Sequence, residues 1–181
     1  MLSRIRFTMM ILALITANIA TASADKFSAG PVIKNYGKHA KVQQDLKLDT
    51  NATFNVAFDI GEQGGVGKVN GSIETLARFI NMHVANGVAL ENINLALVVH
   101  GKAGFDLLKE PLYEEKFQQK NANKALLQDL MKNQVTIYLC GQSAAYHNIS
   151  NKMIMPGVKM ALSAMTAHAV LQNQGYTLNP F

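Results

Sequence analysis

Cys140 is the single cysteine in a chain of 181 residues. No internal disulfide can form, so the fold must rest on its core. Charge is scarce too: 16% of residues are charged, against 49% apolar. That balance, without any low-complexity tract, excludes a disordered chain and allows one ordinary domain. The lysines are scattered and build no dense basic run, so the chain shows no nucleic-acid footprint. Several chemistries lack their residues. The glycine-rich stretch Gly61–Gly71 has neither the Gly-Lys-Ser/Thr end of a phosphate-binding loop nor GxGxxG. No GxSxG elbow is present. The five histidines, His39, His83, His100, His147 and His168, form no HxH or HxxxH pair, which argues against a preformed zinc site. No carboxylate pair has a spacing suited to glycoside hydrolysis. The nine methionines read as core filling rather than copper ligands. No cofactor is expected.

What is present begins with a leader. Arg4 and Arg6 precede an apolar stretch from Phe7 to Ala20, and Ala22-Ser23-Ala24 supplies the small residues that a signal peptidase reads. The stretch is short for a membrane span and is diluted by Thr16 and Asn18. Residues 1–24 are therefore expected to be a cleavable signal peptide, cut near Ala24-Asp25, and the mature chain to be periplasmic or secreted without a membrane span. Removing Arg4 and Arg6 from the 17 basic residues leaves 15 against 12 acidic ones, a formal +3. Exported small domains often pair their cysteines. A lone thiol there is flagged as reactive or intermolecular.

Residues 25–52 are polar and weakly periodic and read as an extended arm over the domain or a neighbouring subunit. From 53 to 181, strands and helices alternate. Thr53–Ile60 alternates as a strand, and Ser72–Asn86 has helical periodicity, with Ser72 as cap and Gly87 beyond its end. Ile93–Val99 is an almost unbroken apolar strand. A short helix is expected around Phe105–Lys109, broken by Pro111. Ala122–Lys132 is a clear helix and Val135–Cys140 a strand. Gly141–Asn151 is a loop or short helix, and Val158–Leu162 a short strand. Ala164–Gln174 is a helix capped by Ser163, and Tyr176–Leu178 an edge strand. The alternation predicts an α/β fold: a mostly parallel sheet of about five strands with helices on both faces.

In such sheets, chemistry gathers beyond the carboxyl ends of the strands. Three strands end in His100, Cys140 and Ser163. A thiolate beside the free amides of Gly141, Gln142 and Ser143 would have a lowered pKa and act as a nucleophile. His100, followed by Gly101, could move a proton. The bland readings stand beside these. Cys140 could be a small buried hydrophobe, His100 a histidine satisfied by the backbone, and Ser163 only a helix cap. His83 and His168 read as structural. Tyr146 and His147 could form a lid.

The runs ARFINMHVANGV (Ala77–Val88), LALVVHGKAGFDLL (Leu95–Leu108), YLCGQSAAY (Tyr138–Tyr146) and MALSAMTAH with LQNQGYTLNPF (Met160–Phe181) resemble the exported branch of the DsrE/DsrF-like family. The resemblance covers Thr53 to Phe181, and the arm also looks like one that exported members carry. It implies a flavodoxin-like three-layer sandwich without flavin, assembled as a trimer or hexamer. It further implies that Cys140 carries sulfane sulfur as a persulfide between a donor and an acceptor protein. His100 and Gln142 come over only as neighbours of that site, beside Gly101, Gly141, Ser143 and Ser163, which the strand ends themselves place near it. Two readings follow: a sulfur carrier acting through Cys140, or a non-catalytic oligomeric binding or scaffold module in which Cys140 only packs. A hydrolase is weaker, because no base–nucleophile pair is visible in the sequence.

Overall fold

The computed structural model describes residues 26–179; the expected signal peptide lies outside the described residues. Five strands form the sheet: β3 (Phe54–Ile60), β4 (Ile93–Val99), β5 (Thr136–Cys140), β6 (Lys159–Ala161) and β7 (Thr177–Asn179). Two residue pairs, β1 (Phe27–Ser28) and β2 (His39–Ala40), form a small antiparallel ladder in the arm. The five strands are all parallel, in the order β6-β5-β4-β3-β7. Counted within the sheet this is 4-3-2-1-5, so the chain steps steadily one way and then crosses back to its first strand. Helices lie on both faces, as the alternation of elements predicts, giving the flavodoxin-like three-layer sandwich that the resemblance implies.

The two faces differ in the size of their side chains. Val56, Phe58 and Ile60 of β3, Leu95, Leu97 and Val99 of β4, and Ile137 and Leu139 of β5 point to one face. There they meet α1 (Gly71–Ala85), α2 (Glu110–Phe117) and α3 (Lys124–Lys132), through Ile73, Leu76, Ile80, Tyr113, Leu126, Leu127 and Leu130. The other face presents Ala57, Ala96 and Val98 to Ala167 and Leu171 of α5 (Ala164–Asn173). The residues in contact here are mostly small, and among the described residues no other long helix covers this face.

Three local expectations are corrected. Asn70, not Ser72, caps α1, its Oδ1 accepting from the Ser72 N–H at 3.0 Å. The stretch expected as a helix at Phe105–Lys109 falls mostly in a 3-10 turn, Gly101–Leu107. Pro111 opens α2 rather than breaking a helix, because in a first turn its missing N–H had no partner to lose.

The arm is laid on α1. Asn81, fully buried in α1, accepts from the Val32 and Ile33 N–H groups at 3.2 and 2.9 Å and donates to the Ile33 and Tyr36 carbonyls at 2.9 Å. Glu74 accepts from the Gly37 N–H, and Arg78 donates to the Lys38 carbonyl, each at 3.0 Å. With Ile33 in the main core, the arm is part of the folded body.

Candidate functional site

The connections after β3 and β4 leave over the large-residue face, whereas the one after β6 leaves over the α5 face. Between them, β5 runs directly into α4 (Gly141–Tyr146), whose Ala144 packs into the large core. The crossovers therefore part between β5 and β6, the kind of switch point where parallel sheets open a crevice. Cys140 is the last residue of β5, paired with Ala161 of β6.

Strand parity turns Cys140 toward the α5 face, since Leu139 enters the large core. Cys140 is 5% exposed. Burial alone would push its pKa up. Hydrogen bonds from the Ser143 hydroxyl and from the Ser143, Ala164 and Gln142 N–H groups outweigh that, and the thiol lies below its ordinary value. The cradle thus draws on two helix starts, one on each side of the switch point. Ser143 Oγ also accepts from the Gly101 N–H at 2.9 Å, which leaves its own proton for the sulfur.

The geometry of the cradle depends on Gly141. A Cβ there would lie 2.6 Å from the Ala161 carbonyl oxygen and 3.0 Å from that of Leu162, both backbone atoms that could not yield without moving β6. Gln142 donates to the Leu162 carbonyl at 3.2 Å, tying α4 to the lead into α5. Ser163 caps α5, its Oγ accepting from the Thr166 N–H at 3.0 Å. Its hydroxyl thus serves the helix, while the next residue's N–H serves the thiol.

Of the residues singled out in the sequence, the structure gathers Cys140, Gln142 and Ser143 on the sulfur, Gly101 one hydrogen bond behind, and Gly141 and Ser163 as supports. His100 is the next strand's residue in the same row, but its ring turns to Asp59, with Nε2 3.0 Å from Oδ2. Tyr146 is exposed, and His147 packs 4.9 Å from the Phe105 ring. Among the described residues, no group of three or more His, Cys, Asp or Glu could hold a metal ion, and no helix is long and apolar enough to cross a membrane.

Asp59 is not singled out in the sequence, and His168 reads there only as structural. Asp59 lies near the end of β3, and its other oxygen, Oδ1, takes His168 Nε2 at 2.7 Å. The signals were there. Asp59 has the parity of Ala57, hence of the α5 face. His168 shares a helix face with Ala164, Ala167 and Leu171, which turns it toward the sheet.

Comparison with known proteins gives both a family and a fold. The model of the DsrE/DsrF-like family matches residues 69–180. A solved structure of a protein of unknown function from Methanobacterium thermoautotrophicum is similar at a TM-score of 0.50 and 15% identity, covering 71% of this chain and 99% of that one. The ychN protein from E. coli is similar at a TM-score of 0.47 and 17% identity, covering 71% of this chain and 100% of that one. No curated protein matches the chain.

Proposed function

The chain belongs to the DsrE/DsrF-like family, whose members generally serve sulfur relay, and on that premise we propose that it is a sulfur carrier acting through Cys140. The supporting observation is the two-sided cradle, in which amides from α4 and α5 and the Ser143 hydroxyl favour the anion of a thiol that burial would keep neutral. The thiolate attacks the outer, sulfane sulfur of a donor such as thiosulfate. The donor's S–S bond breaks, sulfite leaves with the electron pair, and Cys140 becomes Cys–S–S⁻. The sulfane sulfur changes hands with no net oxidant or reductant. The same donors favour the persulfide anion, and an acceptor thiolate removes the outer sulfur by the reverse chemistry.

The test is mass spectrometry after incubation with thiosulfate or polysulfide. The protein should gain about 32 Da at Cys140 and lose it on reduction. Cys140→Ala should gain nothing. No gain, with a thiol that alkylates only after unfolding, removes this reading. The 5% exposure of Cys140 favours the second reading, a non-catalytic oligomeric module in which the thiol only packs. Fast alkylation in the folded state decides against it.

The family resemblance also suggests a homo-oligomer, trimer or hexamer. The outer side of α5 supports it, with Leu162 just before the helix, Met165 and Val170 all exposed. Light scattering after gel filtration should show the assembly, and Met165→Lys should weaken it without lowering the melting temperature. A strict monomer at micromolar concentration counts against it. Export completes the proposal: expressed with its leader, the mature protein should begin at Asp25 by N-terminal sequencing and be found in the periplasm or medium.

A further inference from the structure

The glycine-rich loop Gly61–Gly71 and the turn Gly101–Leu107 meet at the carboxyl ends of β3 and β4, where the Ala103 N–H donates to the Gly61 carbonyl at 3.1 Å. They share a polar net. Asp106, Tyr113 and Asn123 are fully buried, and Asn70 and Asn121 nearly so. Asp106 Oδ2 accepts from the Gly64 N–H at 2.9 Å and from the Asn70 amide at 2.8 Å. The Asn70 N–H donates to Asn123 Oδ1 at 2.7 Å, and the Asn123 N–H to Asn121 Oδ1 at 3.0 Å. The Asn121 amide returns to the Asp106 and Leu108 carbonyls at 2.9 and 3.0 Å.

The protein does not complete this net by itself. Among the described residues, six buried side-chain polar atoms have no hydrogen-bond partner in the protein, and four of them gather here: Gln63 Nε2, Asp106 Oδ1, Tyr113 Oη and Asn123 Nδ2. The Gln63 amide and the Gly67 N–H face the Tyr113 oxygen without closing a hydrogen bond to it, and Tyr113 lies in the field of Asp106. Asp106 and Asn123 are each one hydrogen bond from Asn70. Burial pushes the Asp106 carboxyl above its ordinary value, against the pull of the Gly64 and Asn70 donors. Polar atoms left dry in an interior cost free energy, so four in one place point to a shared ligand.

The mix of atoms selects that ligand. An anion would meet the Asp106 carboxylate. A cation would meet the amide hydrogens of Gln63 and Asn123, and among the described residues no group of three or more His, Cys, Asp or Glu could hold a metal ion. Water both gives and takes, and a buried water commonly makes about three hydrogen bonds to otherwise unpaired groups. We propose that this net is an internal water site, in which water donates to Asp106 Oδ1, accepts from the Gln63 and Asn123 amides and engages the Tyr113 hydroxyl. From Glu62 to Lys68 the loop gives no side chain to the apolar core, and Val66 is exposed. Its seat is therefore polar, and the water fastens it to α2 and to the lead into α3. The site does not depend on the sulfur-carrier reading.

Two measurements test it. A crystal structure of the mature protein should show ordered water within hydrogen-bond reach of Asp106 Oδ1 and Tyr113 Oη. Direct contact between those two oxygens, or a metal ion or anion in that place, overturns the inference. Chemical denaturation of Tyr113→Phe, which deletes only the hydroxyl, gives the sign. With water bound, the folded-to-unfolded ratio should fall about fivefold. In a dry site the same change removes an unpaired polar group, and a ratio that stays or rises overturns the inference. Gln63→Met should also lower the ratio, and its cost should shrink in the Tyr113→Phe background, because both side chains hold the same water. Strictly additive costs overturn the shared site. Should Tyr113→Phe fail to fold, the wild-type crystal structure decides.

Discussion

The two faces of one sheet are built for different work. One carries Phe58, Leu97, Ile137 and Leu139 under three helices and an arm, all fully buried and apolar. The other carries alanines under α5, and at its end a thiol, a carboxylate and two imidazoles. Stability scales with apolar area removed from water, so it is concentrated on the first face. Polar groups that must meet a partner belong where the cover is thin and close. The contrast teaches that the rim at Cys140 can be altered chemically with little effect on folding, whereas the opposite face cannot.

The largest expected effect lies at the thiol. Cys140→Ala should abolish sulfur loading by mass spectrometry while shifting the denaturant midpoint only slightly. A variant that still loads breaks the assignment of chemistry to this face. Next is the core. Phe58→Ala should cost about 4 kcal/mol in chemical denaturation, and Leu171→Ala on the α5 face about 2–3 kcal/mol. The reverse order would mean that the thin cover carries the fold. Asn81→Ala should cost about 2 kcal/mol, because the buried Ile33 N–H and carbonyl lose their partner. Proteolysis should then cut first within the arm. An unchanged arm would show that Ile33 packing alone holds it.

The smallest effect is a dependence on pH. Burial opposes the Cys140 anion, but the hydrogen bonds from Ser143, Ala164 and Gln142 leave the folded thiol below its ordinary value. Between the folded and unfolded values, the folded state binds fewer protons, so stability rises with pH across that window and is lost as pH falls through the folded value. Subtracting the unfolding free energy of Cys140→Ala from that of the wild type at each pH should reveal this slope. A flat difference means that the cradle does not favour the anion.

Much of this was legible in the sequence. Continuous apolar runs gave the parallel strands, three- and four-residue spacing gave α1, α3 and α5, and strand ends gave the row of His100 and Cys140. Pro111 misled because a proline that ends one helix and a proline that starts the next look alike without the turn before them. Asn70 won the cap from Ser72 because an asparagine one residue ahead of the helix can reach the Ser72 N–H, and that choice depends on local backbone angles. Asp59 and His168 are 109 residues apart and meet only because β7 returns beside β3 and brings α5 across the sheet. Periodicity turns each of them to the α5 face, but it does not tell which strand α5 crosses. The arm's tie to Asn81 is equally non-local, spanning up to 49 residues.

The glycines at the ends of β3 and β5 constrain how such a protein can diversify. At Gly61 and Gly141 even a methyl would strike an imidazole or a backbone carbonyl at 2.6 Å. The mouth of the site is thus a fixed frame whose outline cannot be retuned one substitution at a time. New donors or acceptors would have to be accommodated by outward side chains beyond that frame, such as exposed Tyr146.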